Sequence, residues 1–499
     1  MTATSSTLLI GWGQRDITPD QTVIITGQFY PRVSEGVLDP LSVSALAIES
    51  NHQGQKDYVI FATFDLVAIP DSFRTLVREQ IKALLPEIDG RKVILHATHT
   101  HTGPEVRYEE DDLQFLSGNT LFERTGVELD VEDPRVTALK IARQGAQAIA
   151  DAWNSRKPGG ISFGLTHATV GYNRRVCYYN GPAVMYGQTN HPDFSHIEAG
   201  ADTTVNLLYT WDDQNKLTGV AINLACPSQM RENMYQLSAD YWCETRQELR
   251  RRLGEKLNII SLNAPSGDVV PPKRMTDLNY RAEQRMLELQ GRTGCEEIAH
   301  RIADAVTRIL PVMDKVIERD LPLVNQNHEL ELPRRTLSQQ DVDDALALAD
   351  KLMAEYDTLI AAINADPSVK QRDPHWYVKP SSAYRRSKWN REVARRYEKQ
   401  KTSPTIKIVS NVVRLGQLAF ATNPFEYYTD YGQQIKVQSK AIQTFLIQHV
   451  GSGTYLPTER AVKGGSYGAL PASTPIGPDG GRLLAQWTIQ TINALFPEA

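Results

Sequence analysis

The sequence predicts an α/β protein. Short apolar, β-rich runs alternate with longer amphipathic segments along most of the chain, which is the texture of sheets covered by helices. Three of those runs end in polar turns rich in Gly or Pro, "THTHTGPE", "CPSQMREN" and "PSGDVVPPKR", where α/β sheets usually carry their chemistry. With 41% hydrophobic and 23% charged residues, the 499-residue chain has ordinary globular composition and is long enough for one large core.

Taken in order, "YVIFATFDLVAI", "SFRTLVREQIKALL" and "KVILHATHTH" read as strand, helix and strand, with an N-cap signal at Asp71-Ser72 and a stop at Pro86. Residues 134–155 repeat the helical period, with Pro134 at the first helical position. "GISFGLTHATVGY", "VNLLYTWD", "GVAINLAC" and "NIISLNA" are strand-like, and the helical stretch 239–257 separates the last two. Residues 335–402 differ: two helical periods, the second strongly basic, flank "DPHWYVKPSS", which predicts a helical hairpin inserted between strands with that motif as its loop. Residues 405–428 read as two strands joined by a tight Arg-Leu-Gly-Gln turn, "YGQQIKVQSKAIQTF" as a helix, and the final amphipathic stretch as another.

A formal charge of −5 carries no electrostatic footprint for nucleic acid, and no run of eighteen apolar residues is present to span a membrane. Four scattered cysteines without a CxxC read as reduced thiols, and the N-terminal stretch lacks a basic and apolar leader, so the expected location is cytoplasmic. The expected partner is a small-molecule or oligosaccharide substrate, with a homo-oligomer left open.

Chemistry concentrates at "VILHATHTHTGPE", which places His96, His99 and His101 within six positions behind a strand-like run. In an extended segment His99 and His101 share a face, and two imidazoles there form half of a metal site, or a ligand beside a general base. A lone buried histidine is normally a hydrogen-bonded core residue; three so close, followed by Gly-Pro, are hard to assign to packing.

Six segments, "GWGQRDITP", "ATHTHTGPE", "NLACPSQM", "SGDVVPP", "NPFEYY" and "TYLPTERAVKGGSYGA", occur in the order and at about the separations of landmark segments in the neutral, non-lysosomal ceramidase family. "THTHTGP" resembles that family's His-Thr-His-Ser-Gly-Pro signature. The resemblance covers the catalytic domain without the additional C-terminal sandwich of long members. It implies a four-layer α/β/β/α architecture with two mixed sheets, a single domain spanning 1–499 in which 335–402 is a helical insertion and 403–499 completes the metal site, and one bound Zn²⁺.

Position by position, the resemblance implies His99, Glu426 and Tyr455 as zinc ligands and His101 as a residue facing substrate. Two positions depart from the family pattern. Its second zinc histidine falls on "NLACPSQM", where Cys226 stands, and its nucleophilic serine falls on Val270. Three repairs are open: a metal-activated water with His101 as base, His196 (or His191) supplied from a neighbouring loop, or Cys226 as a thiolate ligand. Asp268 is a further catalytic candidate set against an Asx-turn, Asp240 is weighed against a helix cap, and Asp65 against a turn cap. Arg174, Arg175, Lys273 and His96 are candidate substrate contacts, with Arg274 beside them.

The first function expected is thus a zinc-dependent hydrolase acting on a small polar amide or sugar-derived substrate. The second is a carbohydrate-active enzyme, hydrolase or metal-assisted lyase, with His101 or a tyrosine such as Tyr467 as base. The third is a non-catalytic binding protein.

Overall fold

The computed structural model describes residues 7–107, 120–272 and 280–496. Eight strands form the larger sheet: β1 (Leu8–Asp16), β2 (Ser42–His52), β3 (Gln55–Phe64), β4 (Val93–Ala97), β5 (Lys157–His167), β6 (Thr204–Asp212), β7 (Leu217–Leu224) and β8 (Asn258–Asn263). Their spatial order is β8-β7-β6-β5-β1-β2-β3-β4. Pairing is antiparallel except at the two edges, where β3 runs parallel to β4 and β7 to β8. Parallel neighbours need a crossover, and helices α1 (Asp71–Leu84) and α3 (Tyr241–Leu253) supply those two connections. Two more helices, α2 (Pro134–Asn154) and α4 (Gly294–Met313), lie on the same outer side.

A second sheet contains β9 (Leu323–Pro333), β10 (Thr405–Leu415), β11 (Leu418–Thr422) and β12 (Gln443–Ile447), in that order, the last pair parallel. The two sheets pack face to face. Strand periodicity sorts the side chains: in β3, Val59 and Phe61 enter the core between the sheets, whereas Ile60, Ala62 and Phe64 pack beneath α1 and α2. Phe61 meets Phe420 of the second sheet with ring centroids 5.0 Å apart. With both faces covered, these strands read as continuous apolar runs rather than alternating ones.

Between β9 and β10, which are paired along their full lengths, stand α5 (Gln339–Ala365) and α6 (Val378–Thr402), packed on each other. Helix α7 (Pro478–Ala494) covers the outer face of the second sheet and completes the α/β/β/α layering.

Local expectations are corrected in three places. Helix α6 begins at Val378, inside the stretch read as a loop. The segment read as one helix after Tyr428 is a helix only over Thr429–Gln438; Gln443–Ile447 is strand β12, because its fully buried "QTFLI" pairs with β11 in the sheet core. Asp71 does not cap α1: it is the first helical residue, and Pro70 occupies the cap position.

Candidate active site

The cavity opens where β4 ends. His99 has a left-handed backbone (φ +60°), so the strand stops at Ala97 and the chain turns. The expectation that His99 and His101 share one face of an extended segment is therefore corrected. The imidazoles still converge, with the two Nε2 atoms 3.2 Å apart, but a turn rather than the pleat brings them together. A non-glycine residue held at positive φ is strained, and such strain persists where the surroundings over-determine it. Here Ser228 Oγ donates to the Thr98 carbonyl at 2.8 Å, and the His101 amide donates to the Ser228 carbonyl at 3.2 Å. Fully buried Arg32 donates to the carbonyl oxygens of Thr26, His101, Glu232 and Met234. Gly27 passes against the His101 ring so closely that a Cβ there would lie 2.6 Å from it.

Glu426 and Tyr455 come from the other end of the sequence and meet as register partners in a two-residue parallel ladder, Glu426–Tyr427 against Tyr455–Leu456. Register partners in a parallel ladder project to the same side, so the carboxylate and the phenol are neighbours by construction. Gly267 permits this approach, since a Cβ there would sit 2.2 Å from the Glu426 carbonyl oxygen.

Together these elements enclose a cavity of about 320 Å³ whose lining includes His99, His101, Glu426, Tyr455, Tyr467 and Arg174. His99 Nε2 lies 3.8 Å from Glu426 Oε2. Its Nδ1 donates to the Val67 carbonyl at 2.7 Å, an assignment that fixes the tautomer and leaves the Nε2 lone pair facing the cavity. Burial, aided by the nearby Arg174 charge, holds the His99 pKa down at about 4, so this imidazole is neutral. Burial also pushes the Glu426 carboxyl up to about 7, against the opposing pull of Arg174 and a hydrogen bond from Tyr455. The phenols of Tyr455 and Tyr467 are both raised by burial, and their rings meet edge to face at 5.2 Å. Arg174 donates to Tyr455 Oη at 3.1 Å, to the Gly267 carbonyl at 2.8 Å and to Tyr186 Oη, and it stands 4.0 Å from Glu426.

Three residues packed against His99 and His101 carried no individual assignment in the sequence. Gln229 and Glu232 lie in "CPSQMREN", legible only as a polar strand-end turn. The Gln229 amide nitrogen is 2.8 Å from His101 Nε2, and Glu232 Oε2 is 3.8 Å from His101 Nδ1. His449, directly after β12, also has a left-handed backbone (φ +62°) and stacks on His99 at 4.2 Å.

Other expected site residues lie elsewhere. Cys226 is buried in the core beneath α3 and α4, its thiol donates to the Val170 carbonyl at 3.1 Å, and burial raises its pKa, so it is placed as a core thiol rather than as a replacement ligand. His196 is exposed on a small outer strand and bonds Ser195, and His191 is likewise exposed; neither lines the cavity. Arg175 is fully buried but faces away, paired with Glu198 at 2.8 Å. Asp268 accepts from the Thr429 amide and hydroxyl and from Asn173, a structural clamp outside the cavity lining. His96 is wholly buried and bonds Thr63 at 2.6 Å, with burial driving its pKa down to about 3. Asp240 caps α3, accepting from the Met230, Arg231 and Tyr241 amides. Asp65 pairs with Arg246 instead of orienting a histidine. Val270 is fully buried. Lys273 and Arg274 lie outside the described residues.

One imidazole nitrogen, one carboxylate and one phenol are donor types that zinc accepts, and a second imidazole lies 3.2 Å from the first. An imidazole whose far nitrogen is tied to a backbone carbonyl is the usual form of a zinc-ligating histidine. Among the described residues no group of three His, Cys, Asp or Glu side chains is gathered for a metal, so the set depends on the Tyr455 phenol.

No protein-family model matches the sequence, and no curated protein matches it. Solved structures do match. The neutral ceramidase from Pseudomonas aeruginosa superposes with a TM-score of 0.66 at 15% identity, over 99% of this chain and 75% of that one. A structure described as ceramidase complexed with C2 gives 0.66 at 14% identity, over 98% and 75%. Along nearly its whole length, this chain has a neutral-ceramidase-like fold.

Proposed function

We propose that the protein is a zinc-dependent hydrolase on a ceramidase-like scaffold, acting on a small polar amide or sugar-derived substrate. The observation that supports this most is the convergence of His99 Nε2, from the turn after β4, with Glu426 and Tyr455, from the two strands of a short parallel ladder, beside His101. His99, Glu426 and Tyr455 are the residues that would hold the ion. When bound, zinc supplies a Lewis acid that polarises a carbonyl and acidifies water.

The chain's own groups then divide the work. His101 is the general base, and Glu232, 3.8 Å from its Nδ1, favours the imidazolium that results. Gln229 holds the ring in place through its amide. Arg174 steadies the Tyr455 oxygen. No serine hydroxyl takes the nucleophile's part, because the matching position is a buried valine, so water is the attacking group. The space argues against ceramide itself: about 320 Å³ is at the small end of ligand sites, and its lining mixes arginine, carboxylate and tyrosine.

A carbohydrate-active enzyme is the second reading, favoured by Phe29, Tyr186 and Tyr467 in the lining, whose faces suit sugar rings. Elemental analysis of the purified protein, paired with a panel of N-acyl amides and acidic or amino-sugar oligosaccharides, decides between them. Absence of zinc in protein expressed with zinc supplied, or absence of turnover on the whole panel, removes the hydrolase reading.

A further inference from the structure

One wall of the cavity holds a charge that the chemistry above does not use. Arg385, on α6 of the helical hairpin, is 7% exposed and lines both the main cavity and a small adjoining pocket. Among the described residues no hydrogen bond or ion pair reaches its guanidinium, and its Nε is buried without a partner. A guanidinium offers five N–H donors in a rigid fork, so burying the Nε donor of Arg385 without a partner is costly, and its remaining donors are left to whatever enters the cavity.

Arg107, six positions after His101, lines the same two spaces. Its guanidinium makes no hydrogen bond among the described residues, and its carboxylate neighbour Glu105 lies 3.6 Å away. That one carboxylate is shared: the charges of Arg107, Arg124 and Arg385 all act on Glu105 and together hold its pKa low despite its burial. One anion thus faces three cations. Elsewhere buried arginines are closed off, Arg175 on Glu198 and Arg246 on Asp65. Burial also lowers the Arg385 pKa to about 10, with Arg107 and Arg124 adding to the strain, so an anion beside it would relieve the charged form.

We propose that Arg385 and Arg107 form an anion subsite, and that the substrate is a small molecule bearing a carboxylate at one end and the group presented to His101 at the other. The second half of that statement rests on the reading of His101 given above; the first does not. A planar carboxylate matches the guanidinium fork with two parallel hydrogen bonds. Phe29 and Tyr186 flank the body of such a ligand within the same lining. The acid could belong to an N-acyl amino acid or to a uronic acid, and the two are told apart by matched pairs.

Calorimetric titration of the full chain with N-acetylglycine against N-acetylglycinamide, and with methyl galacturonide against methyl galactoside, measures the preference for charge. In at least one pair the acid should bind about ten-fold or more tightly than its neutral partner, as expected for hydrogen bonds to a charged group. The pair that shows it names the scaffold of the substrate. Arg385→Gln should bring that ratio close to one while leaving the neutral ligand's affinity alone, and Arg385→Lys should keep part of it. If Arg385→Gln folds poorly, Arg107→Gln at a half-buried position carries the same readout. Equal binding of acid and neutral ligand in both pairs, or an undiminished ratio in the variants, overturns the subsite. Because binding and turnover are read separately, charge preference without hydrolysis keeps the subsite and discards the hydrolase, and hydrolysis without charge preference does the reverse.

Discussion

Arg246 and Arg385 are both buried guanidinium groups on helices, yet their surroundings are opposite. Arg246, on α3, is clamped on Asp65 by two hydrogen bonds of 2.8 Å, and Asp65 is also bonded by the Ser42 amide and hydroxyl. Arg385 faces open space with no carboxylate of its own. The first arrangement ties helix to sheet, and every charge is met inside the protein. The second leaves donors directed at a cavity, which is what a ligand site requires and a structural seam does not tolerate. Adjacent positions repeat the lesson: Arg175 is closed on Glu198, while Arg174 reaches the phenol of Tyr455 and the neighbourhood of Glu426.

Breaking the closed seam should have the largest effect on stability. Arg246→Ala strands Asp65 as a buried charge, and the expected loss is about 3–5 kcal/mol, read from the denaturation midpoint. Arg385→Met should behave in the opposite sense, with stability unchanged or raised because no partner is stranded. A large loss of stability in Arg385→Met would show that this arginine is also a structural pair, and would erase the contrast.

Within the cavity the two histidines should separate. His99→Ala should strip zinc from the purified protein, whereas His101→Ala should retain zinc and lower turnover by about 10²–10⁴-fold. Metal content and kcat measured on the same preparations check this, and the reverse pattern would exchange the two roles.

A pH-dependent effect belongs to the closed regions. Burial raises the Asp240 carboxyl to about 6 from 3.8, despite three backbone amides that oppose it. Since the folded protein binds this proton more tightly than the unfolded chain, the contribution to stability is fully present below pH 3.8, declines as pH rises to about 6, and is gone above that. Asp240→Asn should flatten the stability profile across that window and leave it unchanged elsewhere. The smallest effect is expected from Cys226→Ala: zinc content unchanged, with a loss of about 1 kcal/mol from a small buried side chain. Loss of metal in that variant would return Cys226 to the ligand set.

Much of this was legible in the residues themselves. Apolar runs and the helical period placed six of the eight strands of the larger sheet, β3 to β8, and helices α1, α2 and α3, because both faces are buried and the side chains must be apolar. The signature around His99, together with "NPFEYY" and "TYLPTERA", marked four residues that line the cavity. Gln229 and Glu232 were visible only as part of a polar turn. Arg107, Arg385 and His449 gave no local signal, because an arginine on a basic helix is ordinarily solvated surface and a single histidine after a strand is ordinarily core.

By itself, then, the sequence determined most strands and helices around the larger sheet and which residue types stand at strand ends, since those depend on local periodicity and on side chains a few positions apart. Only the tertiary structure decided which charges are answered. Whether Arg385 meets a carboxylate or a cavity, and whether His99 turns its ring toward Glu426 more than three hundred positions away, depends on packing between layers and on a left-handed backbone at one residue. No local pattern encodes either, because the energy of a buried charge is set by what surrounds it in space.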